Sequence, residues 1–169
     1  MKGLEAALIS AMLVVAIGPT ARCASSPIEV NAFADASYIY IATIRKDGSQ
    51  SRAVPVWFVT TPQGQILIDT NTDSWKARRV RRGSPVIVWM GSRTGPAFIG
   101  KAEFETESSV QDQMIERIPR KYLLARLGLF GPKRANFDSG KIVTIRITPE
   151  RGLPAGFKSQ PGAPAPAVL

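Results

Sequence analysis

Histidine is absent from this 169-residue chain, and cysteine occurs once, at Cys23. Without histidine there is no Ser-His-Asp or Cys-His nucleophile system. Zinc sites built from Cys and His are excluded as well, as is haem held by a His or Cys of this chain. A single cysteine forms no internal disulfide, so pairing gives no reading of the redox compartment. Any reaction here rests on carboxylates, Lys, Tyr or Ser, or on a bound cofactor. Acidic residues are scarce, 13 against 22 Lys and Arg, for a formal charge of +9. That surplus favours anionic partners such as phosphorylated ligands, nucleic acid or acidic lipid, without choosing among them.

Long apolar runs are also missing. The longest, Ala6 to Ile17, is broken only by Ser10 and is short of the ~20 residues that a membrane-spanning helix needs. It follows Lys2 and precedes Gly18-Pro19 and the small residues around Cys23, which is the pattern of an export signal over residues 1–25. A mis-assigned start or a surface helix is the alternative. Export would make the protein periplasmic or extracellular, with no transmembrane helix in the mature chain and little access to nucleic acid. Without a signal it would be cytoplasmic.

The length suits one domain. Residues 26–36 read as a linker into it, and residues 37–150 as the domain itself. Residues 151–169, rich in Pro, Gly and Ala, read as a flexible tail. Ser37 to Arg45 is β-branched and aromatic, a strand, and Asp47-Gly48 marks a hairpin. Gln50 to Thr60 returns, with Pro55 marking an edge or bulge. Gln65 to Thr70 is a third strand. Residues 73–82 read as a short helix capped by Thr72 or Asp73. Pro85 to Met90 and Ala97 to Glu105 form a second hairpin. Ser108 to Leu127 carries helical spacing at Val110, Met114, Ile118, Leu123, Leu124 and Leu127, interrupted by Pro119. Lys141 to Thr148 alternates as a last strand. Consecutive hairpins with few helices predict a mainly β fold, a closed or partly closed antiparallel barrel.

The segment from Asp69 to Arg79 is the most informative. A strand end delivers Thr70 and Asn71 to a helix start, where free N–H groups favour an anion. Ser74 adds a hydroxyl and Lys76 a cation. The plain alternative is a capped helix with a solvated basic face, on which Arg78, Arg79, Arg81 and Arg82 would simply be exposed. Trp57, Trp75 and Trp89 would either stack on a flat ring or pack a core.

Thr70-Asn71-x-x-Ser74-x-Lys76 resembles the phosphate motif of the pyridoxamine 5′-phosphate oxidase-like superfamily. Ser74 to Arg78, followed by Arg81-Arg82-x-x-Pro85, is similar to its small flavin- and deazaflavin-dependent members. Arg52 to Phe58 resembles the strand whose backbone edges the isoalloxazine ring there, with Arg52 at a phosphate-binding position. Ile99 to Glu103 and Ile147 to Glu150 match later strands, in the family's order. The resemblance implies a split antiparallel β-barrel of the FMN-binding type. It implies FMN or a deazaflavin of the factor-420 type as cofactor, an oxidoreductase passing a hydride or electrons to a small organic acceptor, and a homodimer. Carried over by position, the cofactor contacts are Arg52, Val54, Pro55, Val56, Trp57, Asp69, Thr70, Asn71, Ser74, Trp75, Lys76 and Arg79. No catalytic acid or base stands out. A non-catalytic flavin-nucleotide carrier is the rival reading, and a barrel that has lost its cofactor is a third. Trp57 and Trp75 stand where true pyridoxamine phosphate oxidases have a lysine and an arginine, Gly95 where they have a glutamine. Their C-terminal Arg-x-His motif cannot exist without histidine. Oxidation of pyridoxamine phosphate is therefore not expected.

Overall fold

The computed structural model describes residues 28–166. The expected signal over residues 1–25 lies outside the described residues, as do residues 167–169 of the tail.

Seven strands form one antiparallel sheet. They are β1 (Ile39–Thr43), β2 (Val54–Val56), β3 (Val59–Thr60), β4 (Ile66–Asn71), β5 (Val86–Met90), β6 (Ala97–Glu105) and β7 (Ile142–Gly152). Their order across the sheet is β2-β1-β5-β6-β7-β4-β3. The Asp47-Gly48 turn forms as expected. Gly48 takes φ 77°, and Asp47 Oδ1 accepts the Ser49 N–H at 2.9 Å. Pro55 lies in β2, the terminal strand, where a missing N–H costs no ladder bond. β1 and β4 are far apart in that order, yet Ile39 and Ile41 share one buried cluster with Ile66 and Ile68. The sheet therefore curls until its two ends enclose a common core, which is a split barrel. At Gly100, where the β6–β7 register shifts, a Cβ would lie 2.8 Å from Ile147 Cγ2 and 2.9 Å from Thr148 O. Only glycine allows that approach.

Among the described residues four α-helices sit outside the sheet, besides a 3-10 turn at Val30–Phe33: α1 (Trp75–Val80), α2 (Ser108–Lys121), α3 (Leu123–Arg126) and α4 (Arg134–Asp138). Val110, Met114 and Ile118 recur every fourth residue along α2 and pack on Val59 and Leu67. The sequence carries one helical run on to Leu123, Leu124 and Leu127, and here the structure differs. Tyr122 leaves the helix with extended backbone (φ −117°, ψ 119°), which resets the phase, and all three leucines are exposed. Among the described residues no helix is long and apolar enough to cross a membrane.

Both ends of the described chain depart from the sequence reading. The segment read as a linker contributes to the core: Val30 is buried, and Ile28, Phe33 and Ala36 pack beside it. The segment read as a flexible tail returns to the barrel. The Phe157 ring stacks on Trp89, and the Phe157 carbonyl accepts the Trp89 indole N–H at 2.7 Å. Gln50 N–H donates to Ala163 O at 2.8 Å, Gly162 N–H to Gln50 O at 3.0 Å, and Ala165 N–H to Gly48 O at 2.9 Å. Composition predicts disorder because so few side chains can bury themselves. Here backbone pairing and one aromatic ring do the holding instead.

Candidate functional site

β4 ends at Thr70-Asn71 and the chain turns at once into α1. Ser74 is the N-cap, in place of Thr72 or Asp73. Its Oγ accepts the Ala77 N–H at 3.1 Å and shares a hydrogen bond with Thr70 Oγ1 at 3.0 Å. Thr72 Oγ1 donates to Gly140 O, and the Asp73 N–H donates to Asn71 Oδ1. The Ser74 hydroxyl thus serves the helix start. The positive charge nearby comes from side chains.

Two cavities border β2. One, of 260 Å³, is lined by four cations: Arg45, Arg52, Lys76 and Arg79. Thr43, Ser51, Val54 and Trp75 complete most of its wall, and no carboxylate lines it. Lys76 is half-buried and has no hydrogen bond or ion pair among the described residues; burial pushes its pKa down to about 8. Arg79 donates to Thr43 Oγ1 at 2.8 Å. Burial, then Arg45 and Arg82, hold its guanidinium below the usual arginine range, and Asp47 works the other way. The Trp75 ring is 69% exposed, with the guanidinium carbons of Arg78 and Arg79 at 5.5 and 5.7 Å from its centre. Four like charges gathered around a cavity with no carboxylate on its wall favour an anion between them.

The second cavity measures 460 Å³ and is mostly apolar. β2 and the residue after it supply Pro55, Val56 and Trp57, and the end of β4 supplies Asp69, Thr70 and Asn71. Tyr38, Ile118, Ile142 and the Phe130-Gly131-Pro132 loop form the rest. Trp57 is held by Tyr122, stacked at 4.6 Å and 12°. The Tyr122 hydroxyl accepts the Phe58 N–H at 3.0 Å, so the residue that ends α2 fixes the ring that walls the cavity.

Of the twelve residues singled out in the sequence, Arg52, Val54, Trp75, Lys76 and Arg79 line the cationic cavity. Pro55, Val56, Trp57, Asp69, Thr70 and Asn71 line the apolar one. Ser74 lines neither. Trp89 is fully buried against Phe157 and belongs to the core. Sequence reasoning missed Thr43 and Arg45, which reach the cavity because β1 pairs with β2; the hairpin was the available signal. Nothing in the sequence pointed to Phe130. Among the described residues no group of three His, Cys, Asp or Glu side chains is placed to hold a metal ion.

Asp69 is the one carboxylate on the apolar cavity. Its Oδ1 accepts from Thr144 Oγ1 at 2.8 Å, and its Oδ2 is buried without a hydrogen-bond partner among the described residues. Burial pushes its pKa up to about 6, against the lowering effect of the Thr144 hydroxyl. The folded chain therefore holds this proton more tightly than the unfolded chain. The stability this gives is full below the unfolded value and is lost as pH rises through about 6. Asp69→Asn removes the titration. The stability of the Asn variant relative to wild type should rise by about 1–3 kcal/mol between pH ~4 and ~7.5. Denaturant unfolding at both pH values checks this, and a difference independent of pH would contradict it.

A curled antiparallel sheet whose two ends share one core, with a cationic and an apolar cavity on the same terminal strand, is a split β-barrel. A family model described as pyridoxamine 5′-phosphate oxidase matches residues 27–154, and the chain belongs to that family. Solved structures share the fold at low identity. A conserved hypothetical protein from Mycobacterium tuberculosis is 22% identical, with 76% of this chain and 85% of that one covered at a TM-score of 0.51. A NimC/NimA family protein from Clostridium acetobutylicum is 18% identical, covering 69% and 76% at 0.51. General Stress Protein 26 from Bacillus anthracis is 17% identical, covering 72% and 86% at 0.52. No curated protein sequence matches significantly.

Proposed function

We propose that the two cavities hold the two ends of one ligand, a flavin nucleotide or a phosphorylated deazaflavin. The observation that carries this reading is the cationic cavity. Four basic side chains border it, and the half-buried Lys76 has no counter-charge among the described residues. Arg45, Arg52, Lys76 and Arg79 would hold the phosphate. The apolar cavity, walled in part by Pro55, Val56 and Trp57, would take the ring, with Asp69 as its one carboxylate. Such a group, when bound, supplies the hydride or electron chemistry; the chain binds it, orients it and keeps water from its face. The protein would then be an oxidoreductase acting on a small organic acceptor other than pyridoxamine phosphate. Tyr38, Val54 and Trp75 are exposed apolar groups on the walls of these cavities, a surface that a second copy in a homodimer would cover. Export, if the N-terminal run is a signal, would place this activity outside the cytoplasm. Steady-state reduction of an added dye by the flavin-loaded protein tests the catalytic reading. Binding without turnover above that of free flavin would leave a carrier.

A further inference from the structure

Six basic residues and no acidic one fall between positions 117 and 134: Arg117, Arg120, Lys121, Arg126, Lys133 and Arg134. Among them the chain turns apolar side chains outward. Leu123 is 58% exposed, Leu127 and Leu129 are 63%, and Phe130 is 64%. The cause is local. The extended Tyr122 shifts the helical phase, and Gly128 and Gly131, at φ 74° and 118°, bend the chain on either side of Leu129-Phe130. Within this stretch Tyr122 and Ala125 face inward and anchor it to the core. An apolar patch with a polar rim marks a docking surface.

The charge on the rim selects the occupant. Arg120 and Arg134 pair with Glu116 and Asp112 of α2. Arg126 and Lys133 are exposed and have no ion pair among the described residues. A second copy meeting this patch with its own patch would bring the same cations together, and like charges oppose that arrangement. An anionic bilayer matches both parts. Its boundary accepts Leu and Phe, and its headgroups attract cations whose aliphatic stems lie along the interface. We propose that residues 117–134 dock this protein on a membrane containing anionic phospholipid, with Leu123, Leu127, Leu129 and Phe130 entering the headgroup boundary. Phe130 is also part of the wall of the 460 Å³ cavity, so the docked surface borders that cavity. The inference stands on the patch alone and does not require a flavin.

Co-sedimentation of the full chain with vesicles tests it, using phosphatidylcholine alone and an equal mixture with phosphatidylglycerol. Binding to the mixed vesicles should be at least about 10-fold tighter and should weaken with salt. Leu127→Glu combined with Leu129→Glu should lower binding to the mixed vesicles about 10-fold with an unchanged melting temperature, because both sites are exposed. Wild type and variant share one N-terminus, so their difference reads the patch. Equal binding by the two would overturn the proposal. So would a change in oligomeric state in the double variant without lipid, which would assign the patch to a protein interface.

Discussion

Lys76→Ala is expected to weaken binding of flavin mononucleotide about 10- to 100-fold, because a charge-assisted hydrogen bond contributes roughly 1.5–3 kcal/mol. Riboflavin, which has no phosphate, should bind as it does to wild type. The argument runs from placement to chemistry. α1 carries Lys76 into a cavity shared with Arg45, Arg52 and Arg79. Burial already penalises its charged form, so a phosphate oxygen there replaces lost hydration rather than competing with it. Removing the ammonium should not harm folding, since no ion pair or hydrogen bond among the described residues depends on it. Lys101→Ala is the control: Lys101 is exposed on β6 and pairs with Glu103 at 2.7 Å. Parallel titrations with both ligands check the expectation. Equal weakening of riboflavin, or unchanged affinity for flavin mononucleotide, would remove the phosphate from this cavity.

Truncation after Gly156 should cost about 2–4 kcal/mol of stability. It removes the Phe157 ring from Trp89, a stacked pair of a kind that contributes ~0.5–1.5 kcal/mol beyond its buried area. It leaves the Trp89 indole N–H without its acceptor on a fully buried side chain, a loss of ~1–3 kcal/mol. It also strips the backbone bonds that Gly162, Ala163 and Ala165 make to residues 48–50. The entropy regained by the shorter chain offsets part of this. Deleting residues 160–169 alone should cost less, because Phe157 stays. Urea unfolding of the two truncations checks the order, and equal stability of wild type and the longer truncation would mean that the segment does not hold the barrel.

The architecture was legible wherever a local rule decides it. Asp47-Gly48 specifies a hairpin, Pro55 an edge or a bulge (the edge, as it turns out), and the alternation of Ile142, Val143, Ile145 and Ile147 the last strand, although β7 runs on to Gly152. The polar stretch from Thr70 to Arg79 pointed to the cationic cavity through Lys76 and Arg79. Its other half, Thr43 and Arg45, is set by the hairpin around Asp47-Gly48, which pairs Thr43 with Ser51 and Arg45 with Ser49; that signal was present in the sequence and was not followed to the cavity. Ser74 was read as a ligand contact because a hydroxyl at a helix start serves either purpose; distance alone separates them. The leucines after Tyr122 were placed in the same helical run because spacing carries no information about a single extended residue that resets the phase. The C-terminal segment escaped because its attachment is mostly backbone, and composition reports side chains.

The central claim is that the paired cavities bind one phosphorylated ring system. Native mass spectrometry of the protein purified from its own cells, followed by denaturation and identification of the released ligand, tests this most directly. The account predicts one flavin nucleotide or phosphorylated deazaflavin per chain, lost from Lys76→Ala and retained by Lys101→Ala. A ligand-free protein that also fails to take up added flavin mononucleotide or deazaflavin would contradict it.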